Sequence, residues 1–186
     1  MSSLVVMVEE QSAKELLDII LPKLVPSGTA LYVLKHSGKS DLRKSVPNKL
    51  RGWNTPDTKF VVLQDQDSAD CYSLKQEWQT MCNNIREGVL VRIVCTELES
   101  WYFGDLLALE RAYVQKISYI IKKRKYRDPD KIKNPKKELQ KLLPKYQPID
   151  GAKKIGLHMD VDGNTSTSFN MFVSGIRKMF FEHRNL

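Results

Sequence analysis

The sequence predicts an α/β fold: a mainly parallel sheet of about four strands, flanked by helices, with a basic helical extension behind it. Three observations predict it. Near-continuous apolar runs alternate with stretches of helical period as far as residue 113. Those runs lack a polar face, as strands do when helices cover both sides of a sheet. Helical connections between successive strands then imply crossovers and parallel pairing.

The elements follow in order. "SLVVMVEE" (3–10) reads as a buried strand, and "QSAKELLDIILPKL" (11–24) as an amphipathic helix. Ser12 and Glu15 have the spacing of a capping box, in which hydroxyl and carboxylate each satisfy a free backbone N–H. "ALYVLKH" (30–36) is a second strand, and 38–53 a loop with a short helix interrupted near Pro47. "KFVVLQD" (59–65) is a third strand. Residues 70–85 form a helix with Leu74, Trp78, Met81, Cys82 and Ile85 at helical spacing. "GVLVRIVC" (88–95) is a fourth strand, and 98–113 reads as helix. Beyond it come the helix "NPKKELQKLL" (134–143), with Asn134 as N-cap and Pro135 in the first turn, a polar loop containing "DVDGNTSTS", and a last helix over 168–183. The 186 residues suit one domain, with an α/β core over 1–113 and an extension over 114–186 packed on it.

Composition excludes some classes. No stretch is apolar enough over the length needed to span a bilayer, so no membrane is expected. The N-terminal stretch has neither the basic flank nor the small-residue cleavage site of a signal peptide. The three cysteines suit neither a disulfide framework nor a zinc site; Cys71 and Cys82 lie in one helical pattern and are expected to face the core. A reducing, cytoplasmic setting fits. The net charge of +8 is local: residues 116–145 hold twelve Lys or Arg against three acids, an excess of nine. Such a patch attracts polyanions by releasing their counterions. A solvated face of a lysine-rich helix is the competing reading.

In an open parallel sheet, functional groups gather beyond the carboxyl ends of the strands. Three of the four strands end in acids: Glu9 and Glu10, then Asp65 and Asp67, then Glu97 and Glu99 with Asp105 further on. If those strands are neighbours, the carboxylates converge. Like charges about 4 Å apart repel by ~4 kcal/mol at an effective dielectric near 20, so something must offset them. All-oxygen ligands favour a hard ion, Mg²⁺ or Mn²⁺. If Asp65-Gln66-Asp67 stays extended, both aspartates share one face. The alternative for a single acid is a helix cap, and Asp67 before "SADCYSLK" is one candidate.

"VMVEEQSAKELL", "HSGKSDLRKSVPNKLRGW", "VVLQDQDSADCYSLK", "VRIVCTELESWYFGDL", "NPKKELQKLLPKYQ" and "SFNMFVSGIRK" occur together in this order. The series resembles the bacterial domain-of-unknown-function family DUF4276, related to the Toprim fold, over nearly the whole chain. The resemblance implies a Mg²⁺-dependent nuclease or phosphodiesterase. Glu9 then matches the Toprim glutamate, Asp65 and Asp67 the Asp-x-Asp pair, and Glu97 or Glu99 a further metal-binding acid. It also implies nucleic acid as a partner, and an AAA- or ABC-type ATPase beside it in phage defence. Glu10 stands where Toprim domains usually carry glycine.

Lys39, in "HSGKSDLRK", and Lys136, in "NPKKEL", are candidates for phosphate. "KKRKYR" (122–127), with Lys123, Arg124 and Lys125, is a candidate for the nucleic-acid backbone, with Tyr126 placed for stacking. Trp101, Tyr102 and Phe103 are expected to pack their helix on the sheet. His36, His158 and His183 share no ligand spacing, and "DVDGN" (160–164) reads as a turn. The rival function is a non-catalytic subunit that uses the same fold to bind nucleic acid or an ATPase.

Overall fold

The computed structural model describes residues 2–181. Four strands, β1 (Ser3–Val8), β2 (Ala30–Lys35), β3 (Thr58–Asp65) and β4 (Leu90–Val94), form one parallel sheet in the order β2-β1-β3-β4. β1 is central, its six residues all buried. Its register aligns Ser3 with Ala30 of β2 and with Thr58 of β3, so the three strands start level.

The pleat sends alternate side chains to opposite faces, and each face has its own core. Leu4, Val6 and Val8 of β1 meet Ala13, Leu16, Leu17 and Ile20 of helix α1 (Gln11–Ile20). Val5 and Met7 meet Leu42, Val46 and Leu50 of α2 (Lys39–Gly52) and Trp78 and Cys82 of α3 (Cys71–Asn83). The C-terminal half completes the first face through α4 (Glu99–Phe103), α5 (Leu106–Tyr113), α6 (Pro135–Leu142), α7 (Pro148–Gly156) and α8 (Thr167–Phe181). The expected α/β architecture is therefore the observed one. The last two residues expected in the final helix, His183 among them, lie outside the described residues.

Several local expectations are corrected. The Ser12–Glu15 capping box does not form: the N-cap lies two residues earlier, at Glu10, and makes no side-chain cap bond. Glu15 Oε1 instead accepts from Gln11 Nε2 at 2.6 Å. β1 stops at Val8, leaving Glu9 and Glu10 in the turn. The single helix expected over 98–113 is two, α4 and α5, broken at Gly104-Asp105. A Cβ on Gly104 would collide with Asn164 Oδ1 and lie 2.9 Å from Ser166 N, so the chain must bend where that loop approaches. Asp105 caps α5 by accepting from Ala108 N–H at 3.0 Å, and its other oxygen accepts from Asp160 N–H at 2.8 Å. It takes no part in an acidic cluster.

Asn134 is the N-cap residue of α6 and Pro135 opens the helix, but Asn134 is left-handed (φ 51°) and its side chain makes no cap bond. α7 arises within a stretch expected to be loop. It packs on α1, where Gly156 brings its backbone against Leu16 and Ile19. Residues 160–164 form the expected turn; Asn164 Nδ2 ties it to Trp101 O at 2.9 Å.

Candidate active site

Parallel pairing puts the carboxyl ends of β1, β3 and β4 side by side. The ladder continues past the strands: Gln66 N–H donates to Val94 O and Asp67 N–H to Thr96 O, both at 2.9 Å. The turn between β2 and α2 closes the other flank. Gly38 (φ 90°) lets the chain double back, and its N–H donates to Glu9 O at 3.2 Å. His36 is buried, its Nδ1–H donating to Val8 O at 2.8 Å. Lys39, the first residue of α2, thereby reaches over the end of β1 and ion-pairs with Asp67.

Asp65-Gln66-Asp67 does not stay extended. Asp67 is left-handed (φ 49°), which turns the chain toward α3. Nor does Asp67 cap that helix. Asp70 does, accepting from Ser73 N–H at 2.8 Å. Even so, the fields of Asp65 and Asp67 both reach Glu9 and Lys39.

The electrostatics are those of crowded, partly desolvated acids. Burial lifts the Glu9 carboxyl from 4.5 to about 7; Lys39 pulls it back, and Asp67 and Glu10 push it further up. Glu9 Oε2 is buried with no hydrogen-bond partner. Part of Asp65 reaches solvent. Burial around its carboxyl, and the charges of Glu99, Glu9 and Asp67, nevertheless hold it well above the usual range against one N–H from Leu98 at 3.4 Å. Glu99 is almost wholly buried and raised by that burial, while the Tyr146 hydroxyl, donating to Oε1 at 2.7 Å, and Lys136 oppose the rise. For Lys39, burial acts downward but the bonded Asp67 carboxylate, with Glu9 and Asp65 beyond it, prevails and the ammonium is held above its ordinary value.

The structure thus brings Glu9, Asp65, Asp67, Glu99 and Lys39 together. Glu97 is drawn aside: its Oε2 accepts the Lys136 N–H at 3.0 Å and so caps α6. That bond also delivers the Lys136 side chain toward Glu99. Glu10 is exposed and lines an open groove of about 440 Å³ with Lys35, His36 and Lys136. Two tyrosines complete the site and were not anticipated there. Tyr146 holds Glu99, and the buried Tyr102 hydroxyl, without a partner, faces Glu99 and Asp65. No local pattern marks Tyr146, which lies 47 residues from the acid it bonds.

The basic segment lies beside this edge. Thr96 Oγ1 donates to Ile132 O at 3.4 Å, and Ile132 lines a groove of about 680 Å³ with Arg124, Lys125, Lys131 and Lys133. Lys123 and Arg124 are exposed, but Lys125 is paired with Glu138 at 2.6 Å. Tyr126 is not available for stacking on a base. Its ring is buried against Phe103, 5.6 Å between centroids, and its hydroxyl donates to Glu138 at 2.9 Å. Trp101, Tyr102 and Phe103 are buried as expected.

The model described as "Domain of unknown function (DUF4276)" matches residues 8–177. The chain belongs to this family. No curated protein and no solved structure matches it. The DUF4276 match spans every site residue named above, from Glu9 to Tyr146. Among the described residues of this DUF4276 chain, no three His, Cys, Asp or Glu side chains stand together as a ready cage for an ion. The physical reason is local: Asp67 leans on Lys39, and Glu97 is spent on α6. The donor chemistry still fits a hard dication, being all oxygen, partly buried and supplied with the unpartnered Glu9 Oε2. Among the described residues, no helix is long and apolar enough to cross a membrane.

Proposed function

We propose that this DUF4276 chain is a Toprim-like, Mg²⁺- or Mn²⁺-dependent phosphodiesterase that acts on nucleic acid, with Glu9, Asp65 and Asp67 at its centre. One observation carries the reading. Three adjacent parallel strands deliver acids to a single edge, where burial raises Glu9, Asp65 and Glu99 above the ordinary carboxyl range. Strongly perturbed groups gathered at a strand end support a functional role for that edge.

Asp65, Asp67 and Glu99 would hold the ion, with Glu97 at the margin. When bound, the ion would supply Lewis-acid polarisation of a phosphoryl oxygen and a more acidic water. Glu9, lifted to about 7, is matched to taking a proton on Oε2 near neutral pH. Lys39 occupies the position of counter-charge to Asp67; released from that pair, its ammonium is free to bind the phosphate. Lys136 serves the same purpose from α6. Exposed Lys123 and Arg124 would track the polynucleotide backbone. Lys125, engaged by Glu138, contributes less. An AAA- or ABC-type ATPase partner and a role in phage defence are supported by the Toprim resemblance alone.

A second reading has its own observation. Asp67, Glu97 and Glu99 each already have a partner, in Lys39, the Lys136 N–H and Tyr146. That is compatible with a non-catalytic subunit that binds nucleic acid or an ATPase. The deciding assay is cleavage of plasmid DNA and of RNA in Mg²⁺ or Mn²⁺, alone and with an ATPase encoded beside the chain. The phosphodiesterase reading expects cleavage that Asp65→Asn with Asp67→Asn abolishes while circular dichroism is unchanged. Binding without cleavage under every condition selects the second reading.

A further inference from the structure

Outside the acidic edge, two of the three cysteines meet. Cys82 is buried in the core as expected, and Cys71 packs against the margin of the same cluster, partly buried. Cys71 opens α3 at the rim, and its Sγ lies 3.5 Å from Sγ of Cys95, the residue after β4. Both are only partly buried. Both line a groove of about 450 Å³ that Gln66, Lys75 and Arg92 also border, so a small solute reaches them.

We propose that Cys71 and Cys95 are an oxidation site, a dithiol that a hydroperoxide converts to an intrachain disulfide. The sulfurs are about 1.5 Å farther apart than a disulfide requires, a gap that oxidation must close. The chemistry balances. Cys71 attacks the peroxide oxygen as its thiolate, giving a sulfenic acid, and its proton leaves with the departing oxygen as water or an alcohol. The second thiol then displaces the sulfenic oxygen as water, and the S–S bond forms. Two thiols are oxidised by two electrons, and one hydroperoxide is reduced.

The position gives the bond a consequence. The segment 66–70 carries Asp67 and is fastened at its start, where Gln66 N–H and Asp67 N–H donate to Val94 O and Thr96 O. Its far end runs into Cys71. Cys95 is anchored in turn, its N–H donating to Ser168 Oγ at 3.3 Å. The disulfide would fasten the far end of the Asp67 segment, which Asp70 already joins to α3, to the same edge of β4 as well. This inference stands apart from the phosphodiesterase reading, because its test reads no cleavage.

The full chain is treated with hydrogen peroxide, then with dithiothreitol. Free thiols are expected to fall from three to one and to return on reduction, with non-reducing peptide mapping joining Cys71 to Cys95 and leaving Cys82 free. Burial and the nearby Asp130 push the Cys95 thiol up to about 12, so Cys71, at the start of α3, is the sulfur that reacts first. Cys95→Ser should therefore block the cross-link and leave Cys71 trapped as a sulfenic acid by dimedone. Cys82→Ser should change neither. Amide exchange at residues 68–70 should slow about tenfold on oxidation. Three thiols surviving the peroxide, a cross-link between chains, or sulfinic acids without a cross-link would each overturn the site. Unchanged exchange at 68–70 would overturn the clamp.

Discussion

Replacing Glu9 by Gln tests the electrostatics of the edge without any assumption about substrate. Burial raises this carboxyl from 4.5 to about 7, so the folded chain binds its proton more tightly than the unfolded chain does. The sign follows from linkage: where the native state holds more protons, stability falls as pH rises. The contribution is fully present below about 4.5 and is lost as pH climbs through 7. Its ceiling is ~3.4 kcal/mol, from ~1.36 kcal/mol for each tenfold change in proton affinity. Part of Glu9 faces solvent, whose screening reduces that to about 1–2 kcal/mol. Asp65 and Glu99, also raised, add in the same direction. Urea unfolding at pH 5 and pH 8, without divalent ions, is the assay. The wild type should lose stability across that interval, and Glu9→Gln should lose about 1–2 kcal/mol less. A flat wild-type profile, or an equal drop in the variant, refutes the account of a desolvated Glu9.

Tyr146→Phe removes the hydroxyl that donates to Glu99 Oε1 and should cost about 1–3 kcal/mol in urea unfolding. Tyr126→Ala should cost about 3–4 kcal/mol, because its ring fills space against Phe103, whereas Tyr126→Phe should leave nucleic-acid affinity unchanged in a filter-binding assay. Neutralising Lys122, Lys123, Arg124 and Arg127 together should weaken nucleic-acid binding and flatten the slope of log affinity against log salt by about 3. Gly104→Ala should destabilise by about 1–3 kcal/mol, since its Cβ meets Asn164 and the Ser166 backbone; calorimetry reads it as a lowered Tm.

The sheet was legible because β1 and β3 are near-continuous apolar runs, as strands covered on both faces are. Acids at strand ends were legible for the same reason: once the strands are found, Glu9 and Asp65 are simply what comes next. What escaped was set by contacts across the chain. Gly104 looks like any helix-interior glycine until Asn164, sixty residues on, is seen against it. α7 carries Gly151 and Gly156, two poor helix formers in nine residues, and owes its helix to packing on α1. Tyr126 sits among lysines and reads as exposed, yet Phe103 and Glu138 bury it. Glu97 could not be told from Glu99 by sequence. Tertiary structure sends one to the start of α6 and the other to Tyr146.

The chain's acids divide by what the fold gains from them. Asp70 caps α3 and Glu110 accepts two N–H groups from Ile117 and Ser118; both carboxyls are lowered, so their charge stabilises the native state. Glu138, held at about 2 by Lys125 and Lys141, belongs with them. Glu9, Asp65 and Glu99 are the reverse: each is raised, so ionisation of each works against folding at neutral pH. A sheet end that needed only polar caps would be better served by Asn and Gln, which satisfy the same N–H groups without the charge. The Leu98 N–H on Asp65 is such a bond, and an amide oxygen would accept it. Lys39 offsets part of the repulsion but reaches Asp67 first and leaves Glu9 Oε2 with nothing. The residue types at this edge therefore work against stability, and that cost, more than the number of acids, is what singles the edge out.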